Sequence, residues 1–219
     1  MSCKVHQCVG QDQDPVQRPA RRDFLFRAAG SGALLAFPGA VMAAQLGEVM
    51  GELYVNGFRA PPGTKIKAGD SVLTGPETKV SFAVGQDAFM MRPLTSLQID
   101  GSTLISGLRV LTGGLLAVFG RGAERTIRTA TLTAGIRGTG IYVEASSIMS
   151  YFCTCYGEVD LECVTYQSRL NVKTKNHAAH FIYGKVDSGR SIVKAPVVNH
   201  TNAELAELEK MVGRTSPLG

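Results

Sequence analysis

Tryptophan is absent from this sequence, aromatic residues make up only 7 % of it, and no stretch interleaves basic residues with aromatics. Nucleic-acid recognition draws on a basic patch with stacking partners, so that class has no support here. Clustered surface aromatics that would grip a glycan or another protein are also missing, which leaves a structural or envelope-binding β-domain as a secondary reading. Strands do not alternate with long helices, and this argues against a parallel α/β sheet. There is no nucleophile elbow, no recognisable carboxylate pair and no cofactor loop. An enzyme reading therefore rests on a cysteine nucleophile with a histidine base alone, and the expectation is a non-enzymatic protein.

Beyond residue 43 no long apolar run occurs, but one lies before it. Arg21-Arg22-Asp23-Phe24-Leu25-Phe26-Arg27 is a twin arginine followed by an apolar pair and another base. A mildly apolar stretch then runs from Ala28 to Phe37, Pro38-Gly39 breaks it, and Val41-Met42-Ala43-Ala44 supplies small residues for a peptidase. A positive start, a short apolar middle and a small-residue site mark a secretory signal, and adjacent arginines place it on the twin-arginine route. Ala20 stands where Ser or Thr is usual, and Phe26 where Lys is usual. The expectation is a signal over 1–43, cut after Ala43, and a periplasmic protein. The alternative is an inner-membrane anchor formed by an uncleaved leader, which the shortness of the apolar stretch disfavours. Residues 1–43 hold five of the 23 bases and three of the 18 acids, leaving a net charge of +3 on the remainder.

From Gln45 to Tyr183 the hydrophobic period is that of strands. Leu53–Val55, Val80–Val84, Ala88–Met91, Leu97–Ile99 and Ile141–Val143 are short and rich in β-branched or aromatic residues. Asn56-Gly57, Gly69-Asp70, Gly75-Pro76 and Asp100-Gly101 punctuate them. Turn signals at such intervals predict a mainly β fold, an antiparallel sandwich or roll of short strands. Val72-Leu73-Thr74-Gly75 recurs as Val110-Leu111-Thr112-Gly113 and marks two similar strand ends. Only the tail changes period. Thr201 and Glu204 have capping-box spacing, Leu205, Leu208, Met211 and Val212 share a helical face, and Gly213 suits the stop. One short amphipathic helix is expected at about 202–212, docked on the sheet.

Several motifs carry a resemblance. Lys67 to Gly75 contains a G-D-x-[ILV]-x-T turn, Ser81 to Asp87 is a hairpin ahead of Pro93-Leu94-Thr95, and Ala134 to Val143 follows A-x-[IV]-R-G-T-x-[FY]-x-V with Ile141 at the [FY] position. Over roughly residues 47–165 the chain resembles the FecR domain, a periplasmic β-module of iron-linked signalling. The resemblance implies a FecR-like β domain over 44–165, a C-terminal extension over 166–219, and a sensing or binding role with a periplasmic or inner-membrane protein partner. Regulators of that family also carry a cytoplasmic sigma-factor-binding region and a membrane span. Here a signal stands in their place, so a direct anti-sigma role is not implied. Gly138 and Gly140 read as a strand corner with positive φ or close backbone approach. Gly135 to Gly140 is no dinucleotide loop, because a strand follows it.

The unusual chemistry lies beyond Tyr151. Cys153 and Cys155 stand two apart on a predicted strand and so share a face. A turn at Tyr156-Gly157 is expected to fold Cys163 back beside them, and its length decides whether Cys163 joins their face. Three of the four histidines follow, His177, His180 and His200. A Y-F-C-x-C-Y-G element, a later histidine and an N-H-T-[DN]-x-E-L element, as in exported FecR-like proteins, imply Cys153, Cys155, His177 and His200 as a set. His200 precedes the helix cap, where the dipole favours the neutral, metal-binding imidazole. Two thiolates and two imidazoles suit zinc or iron. A disulfide from Cys163 to Cys153 or Cys155, and cysteines that are merely buried, stay open beside the metal. Covalent haem is not supported, since C-x-C is not its attachment motif.

Overall fold

The computed structural model describes residues 46–61, 63–101, 105–186 and 189–218, with the backbone alone over 46–50. The twin-arginine segment and the expected cut after Ala43 lie outside the described residues. Among the described residues the chain forms fourteen strands, joined in one mixed sheet, and one helix. The mainly β fold is as expected. No helix among the described residues is long and apolar enough to cross a membrane.

The first strands are short: β1 Leu46–Met50, β2 Leu53–Val55, β3 Phe58–Arg59, β4 Ser71–Thr74, β5 Lys79–Val84, β6 Asp87–Met91 and β7 Ser96–Gly101. They contain each of the early strand segments read from the alternation. Asp70 of the G-D turn is buried and accepts from Asn56 Nδ2 and from the Lys67 amide, both at 2.9 Å. That carboxylate holds the β2–β4 corner, so the motif residue is structural. Long strands follow, β8 Ile105–Val118, β9 Glu124–Arg128, β10 Leu132–Ala145 and β11 Met149–Cys163. The sheet closes with β12 Arg169–Thr174, β13 Ala178–Tyr183 and β14 Ile192–Ala195. β12 and β13 both pair with β11, and β14 pairs with β13, so the part after Tyr166 extends the same sheet. Among the described residues every pairing is antiparallel except β8 with β9.

The repeated V-L-T-G proves to be two different things. The first copy ends β4, whereas the second lies inside β8, where Gly113 bends the strand without ending it. The two copies flank β7 from opposite sides, with Val72 and Val110 both opposite Leu97.

The Arg-Gly-Thr block sits at a double bulge between β10 and β11. Register slips once between Arg137 and Gly140 and again between Gly140 and Ile141. Each strand carries one extra residue in turn, so overall register is restored while the two faces exchange. Leu132, Ala134 and Ile136 face one core before the bulge, and Ile141 and Val143 face it after, an odd step in a period-two strand. In β11 the same core receives Phe152 before the bulge and Val159, Leu161 and Cys163 beyond it. Gly138 and Gly157 take positive φ, 59° and 96°. At Gly140 a Cβ would run into the Tyr156 ring, so the glycine is required by close approach. Thr139 Oγ1 donates to the Glu158 carbonyl at 3.1 Å. Arg137 takes no part in that tie and pairs with Glu124 at 2.9 Å on the surface.

This bulge corrects the expected turn at Tyr156-Gly157. The chain does not reverse there: β11 runs straight through, and Gly157 pairs with Thr174 of β12. Gly157 resembles a hairpin glycine in sequence because a bulge and a tight turn both call for positive φ.

The two faces carry separate apolar clusters. The row Met90, Leu116, Tyr142, Cys153 and Ala179 crosses five strands on the second face. On it docks α1, Asn202–Met211, through Leu205 and Leu208, both fully buried. Burying two leucines contributes roughly 1.5–3 kcal/mol each. The capping box is formed as the spacing predicts: Glu204 N–H donates to Thr201 Oγ1, and the Thr201 amide to Glu204 Oε2.

Glu204 also binds Arg92 Nη1 and Nη2 at 2.7 and 2.8 Å and Lys79 at 3.0 Å. The Arg92 guanidinium, helped by Lys79, lowers the Glu204 pKa from 4.5 to about 2. A depressed carboxylate contributes stability above its unfolded pKa and loses it as pH falls through the folded value. Arg92→Met should therefore lower the melting temperature at pH 6, and the gap to the parent should shrink between pH 4 and pH 2. Melting curves across that range check it.

Candidate metal centre

The four residues marked by the sequence come together. Cys153 and Cys155 project from β11 on the helix-bearing face, and both are fully buried. His177 stands at φ 32° in the link that enters β13, and its amide donates to the Cys155 carbonyl at 2.9 Å. That bond sets the start of β13 beside the thiols. His200 lies directly before the helix cap and is 9 % exposed. One ligand atom from each residue falls within 4.8 Å of every other.

The inner distances suit a tetrahedral ion. Cys153 Sγ lies 3.6 Å from His177 Nδ1, and His200 Nε2 lies 3.2 Å from the same nitrogen. With metal–sulfur bonds of about 2.3 Å and metal–nitrogen bonds of about 2.0–2.1 Å, tetrahedral edges are about 3.6 Å for N–S and about 3.3 Å for N–N. Both observed edges match.

The outer nitrogens are fixed too. His200 Nδ1 lies 2.7 Å from the Val198 carbonyl, which can only accept, so Nδ1 carries the proton. His177 Nε2 lies 2.8 Å from Asn202 Oδ1 and donates to it. In the neutral rings, both inner nitrogens then aim lone pairs at one another, an arrangement that a cation between them relieves. Metal-binding histidines characteristically have the remote nitrogen held in this way.

Sulfur electrostatics point the same way. The Cys155 thiol stabilises the Cys153 thiolate against its burial and holds that pKa below the ordinary value, and His200 and His177 add to this only in the form that carries an inner proton. Burial, and then the neighbouring sulfur, push Cys155 upward. The pair gives up one proton readily and resists losing the second, which a bound cation would supply the field to remove.

Residues outside the sequence reading complete the surround. Tyr142 stacks on His200, ring centroids 4.7 Å apart, and its hydroxyl donates to Glu144 at 2.6 Å. Tyr151 donates to the Pro196 carbonyl and accepts from the Val198 amide, fixing the segment that presents His200. Arg92 adds a bond to the Asn199 carbonyl at 2.7 Å. Asn202 had a legible signal, its place at the helix start two residues after His200. The Val198 carbonyl had none.

Two cysteine and histidine candidates fall elsewhere. Cys163 is buried in the other core, its thiol 3.5 Å from the Tyr183 carbonyl. It lies ten residues along the same strand from Cys153, roughly 33 Å at about 3.3 Å per residue, far beyond a disulfide. The alternative bond from Cys163 to Cys153 or Cys155 is thereby overturned, because the expected turn is a bulge. Among the described residues Cys153, Cys155 and Cys163 are all free thiols. His180 lies in β13 with Nδ1 buried and unpartnered, and burial lowers its pKa.

No protein-family model matches the chain, and no curated protein matches it. Among solved structures it is similar to two crystal structures described as a "putative anti-sigma factor" from Parabacteroides distasonis ATCC 8503. One, at 2.50 Å resolution, has a TM-score of 0.48 and 11 % identity over 57 % of this chain and 58 % of that one. The other, at 1.65 Å, has a TM-score of 0.49 and 11 % identity over 64 % of each. This chain therefore spans less than two thirds of either protein.

Proposed function

We propose that this chain is a non-enzymatic, FecR-like sensing module that holds one zinc or ferrous ion between Cys153, Cys155, His177 and His200. The observation that carries the reading is the convergence of two sulfurs and two imidazoles whose remote nitrogens are already tied to Val198 and Asn202. Four protein ligands make a closed site, the structural kind, whereas catalytic zinc keeps a position for water. The export signal belongs to the same reading. The twin-arginine route carries folded proteins, so the site can fill in the reducing cytoplasm before the thiols meet an oxidising periplasm. A periplasmic or inner-membrane protein is the partner this role calls for.

Metal analysis of the purified protein tests it. One equivalent of zinc or iron is expected in the parent and in Cys163→Ser, and none in the Cys153→Ser, Cys155→Ser double variant. Metal-free parent protein, or equal metal in all three, defeats the reading.

One observation favours a second reading. Cys153, His177 and Asn202 form a chain of contacts of the cysteine–histidine–asparagine kind found in thiol hydrolases. Cys153 is fully buried, however, and His200 occupies the space beside His177 Nδ1, so a substrate has no approach. Stoichiometric labelling of Cys153 by iodoacetamide in the protein as purified, abolished in His177→Ala, would favour the hydrolase over the metal centre.

A further inference from the structure

On the far side of the double bulge lies a cleft of about 1310 Å³. Its walls are the bulge itself, the end of β12 and the chain that follows α1. Gly138 and Gly157 leave bare backbone in one wall, and the Tyr156 ring, Val212 and Pro217 supply apolar surface. Five basic residues reach the cleft against two acids.

Both acids are already engaged. Glu158 pairs with Lys173 at 3.2 Å and accepts from Asn171 at 3.2 Å. Glu209 is buried, accepts from the Tyr156 hydroxyl and pairs with Arg214 Nε. Arg137 is taken by Glu124. Among the described residues, Arg121 and Lys175 have no ion pair or side-chain hydrogen bond. Arg214 is committed to the wall itself, through Nε to Glu209 and through Nη1 to the Gln86 carbonyl, and its Nη2 is out of solvent.

The geometry points to a second binding site, independent of the metal centre: a cleft that takes a small organic anion with an aromatic body. Its phosphate or carboxylate head is held by Arg121 and Lys175, and its ring lies against Tyr156, Val212 and Pro217. An apolar wall with a few convergent polar groups is the usual form of a small-molecule site, and a guanidinium fork matches a planar or tetrahedral oxyanion.

Calorimetric titration of the purified chain with 1-naphthyl phosphate, inorganic phosphate and 1-naphthol tests this. One saturable site is expected for naphthyl phosphate, at least tenfold tighter than for either fragment and weaker as salt rises. An Arg121→Ala, Lys175→Ala double variant should lose at least tenfold with unchanged melting, whereas Arg59→Ala, exposed on β3, should bind as the parent does. If the double variant melts early, Arg121→Gln and Lys175→Gln singly read the same contrast. Absence of saturation, equal binding of all three probes, or a double variant that binds like the parent would overturn the assignment.

Discussion

Replacing Cys153 and Cys155 with serine is expected to lower the melting temperature of the metal-loaded protein by roughly 8–16 °C. An ion that binds only the folded chain at a thousand times its dissociation constant stabilises by about 4 kcal/mol. For a domain of this size each kcal/mol moves the midpoint by about 2–4 °C. The effect is large because the ligands come from three places: the middle of β11, the entry to β13 and the approach to α1. An ion there ties the helix and its leading segment to the sheet, so site formation is part of folding. Chelator should shift the parent by a similar amount and leave the double variant where it is. Scanning calorimetry with and without chelator makes the comparison, and parent and variant melting together in both conditions would count against the account.

Gly140→Val should destabilise the fold by roughly 3–5 kcal/mol. The new side chain enters the space of the Tyr156 ring, and overpacking of this kind costs about 1–3 kcal/mol. Moving the ring also breaks the Tyr156–Glu209 hydrogen bond, and a buried bond to a charged group is worth about 1.5–3 kcal/mol. Tyr156 follows Cys155 directly, so metal affinity should fall with stability. Denaturant unfolding measures the first effect and competition with a chromophoric chelator the second. Tyr156→Phe, which keeps the ring and loses only the hydroxyl, should show the hydrogen-bond part alone, about 1.5–3 kcal/mol, and little change in affinity.

Local signals in the sequence were faithful where the structure they describe is itself local. Thr201 and Glu204 make their capping box within four residues, and the alternation of Val80–Val84 and Ala88–Met91 becomes strands β5 and β6. Cys153 and Cys155 share a face for the same reason, their spacing of two on a strand. The misreading at Tyr156-Gly157 came from a signal that is local but ambiguous, since positive φ at a glycine serves a bulge as well as a turn. Its consequence was long-range. Val159, Leu161 and Cys163 are buried, as their alternation required, but on the opposite side of the sheet from Cys153, because the bulge exchanges the faces. Other parts of the site had no sequence signature. The Val198 carbonyl is backbone, and Tyr142 meets His200 only because β10 pairs with β11 and the chain returns 58 residues later.

The central claim is a centre of two sulfurs and two imidazole nitrogens, and X-ray absorption at the metal edge of the loaded protein reads it most directly. The account predicts a first shell of two sulfurs at about 2.3 Å and two nitrogens at about 2.0–2.1 Å, with the sulfur contribution gone in the Cys153→Ser, Cys155→Ser variant. A shell of oxygen and nitrogen alone in the parent protein would contradict it.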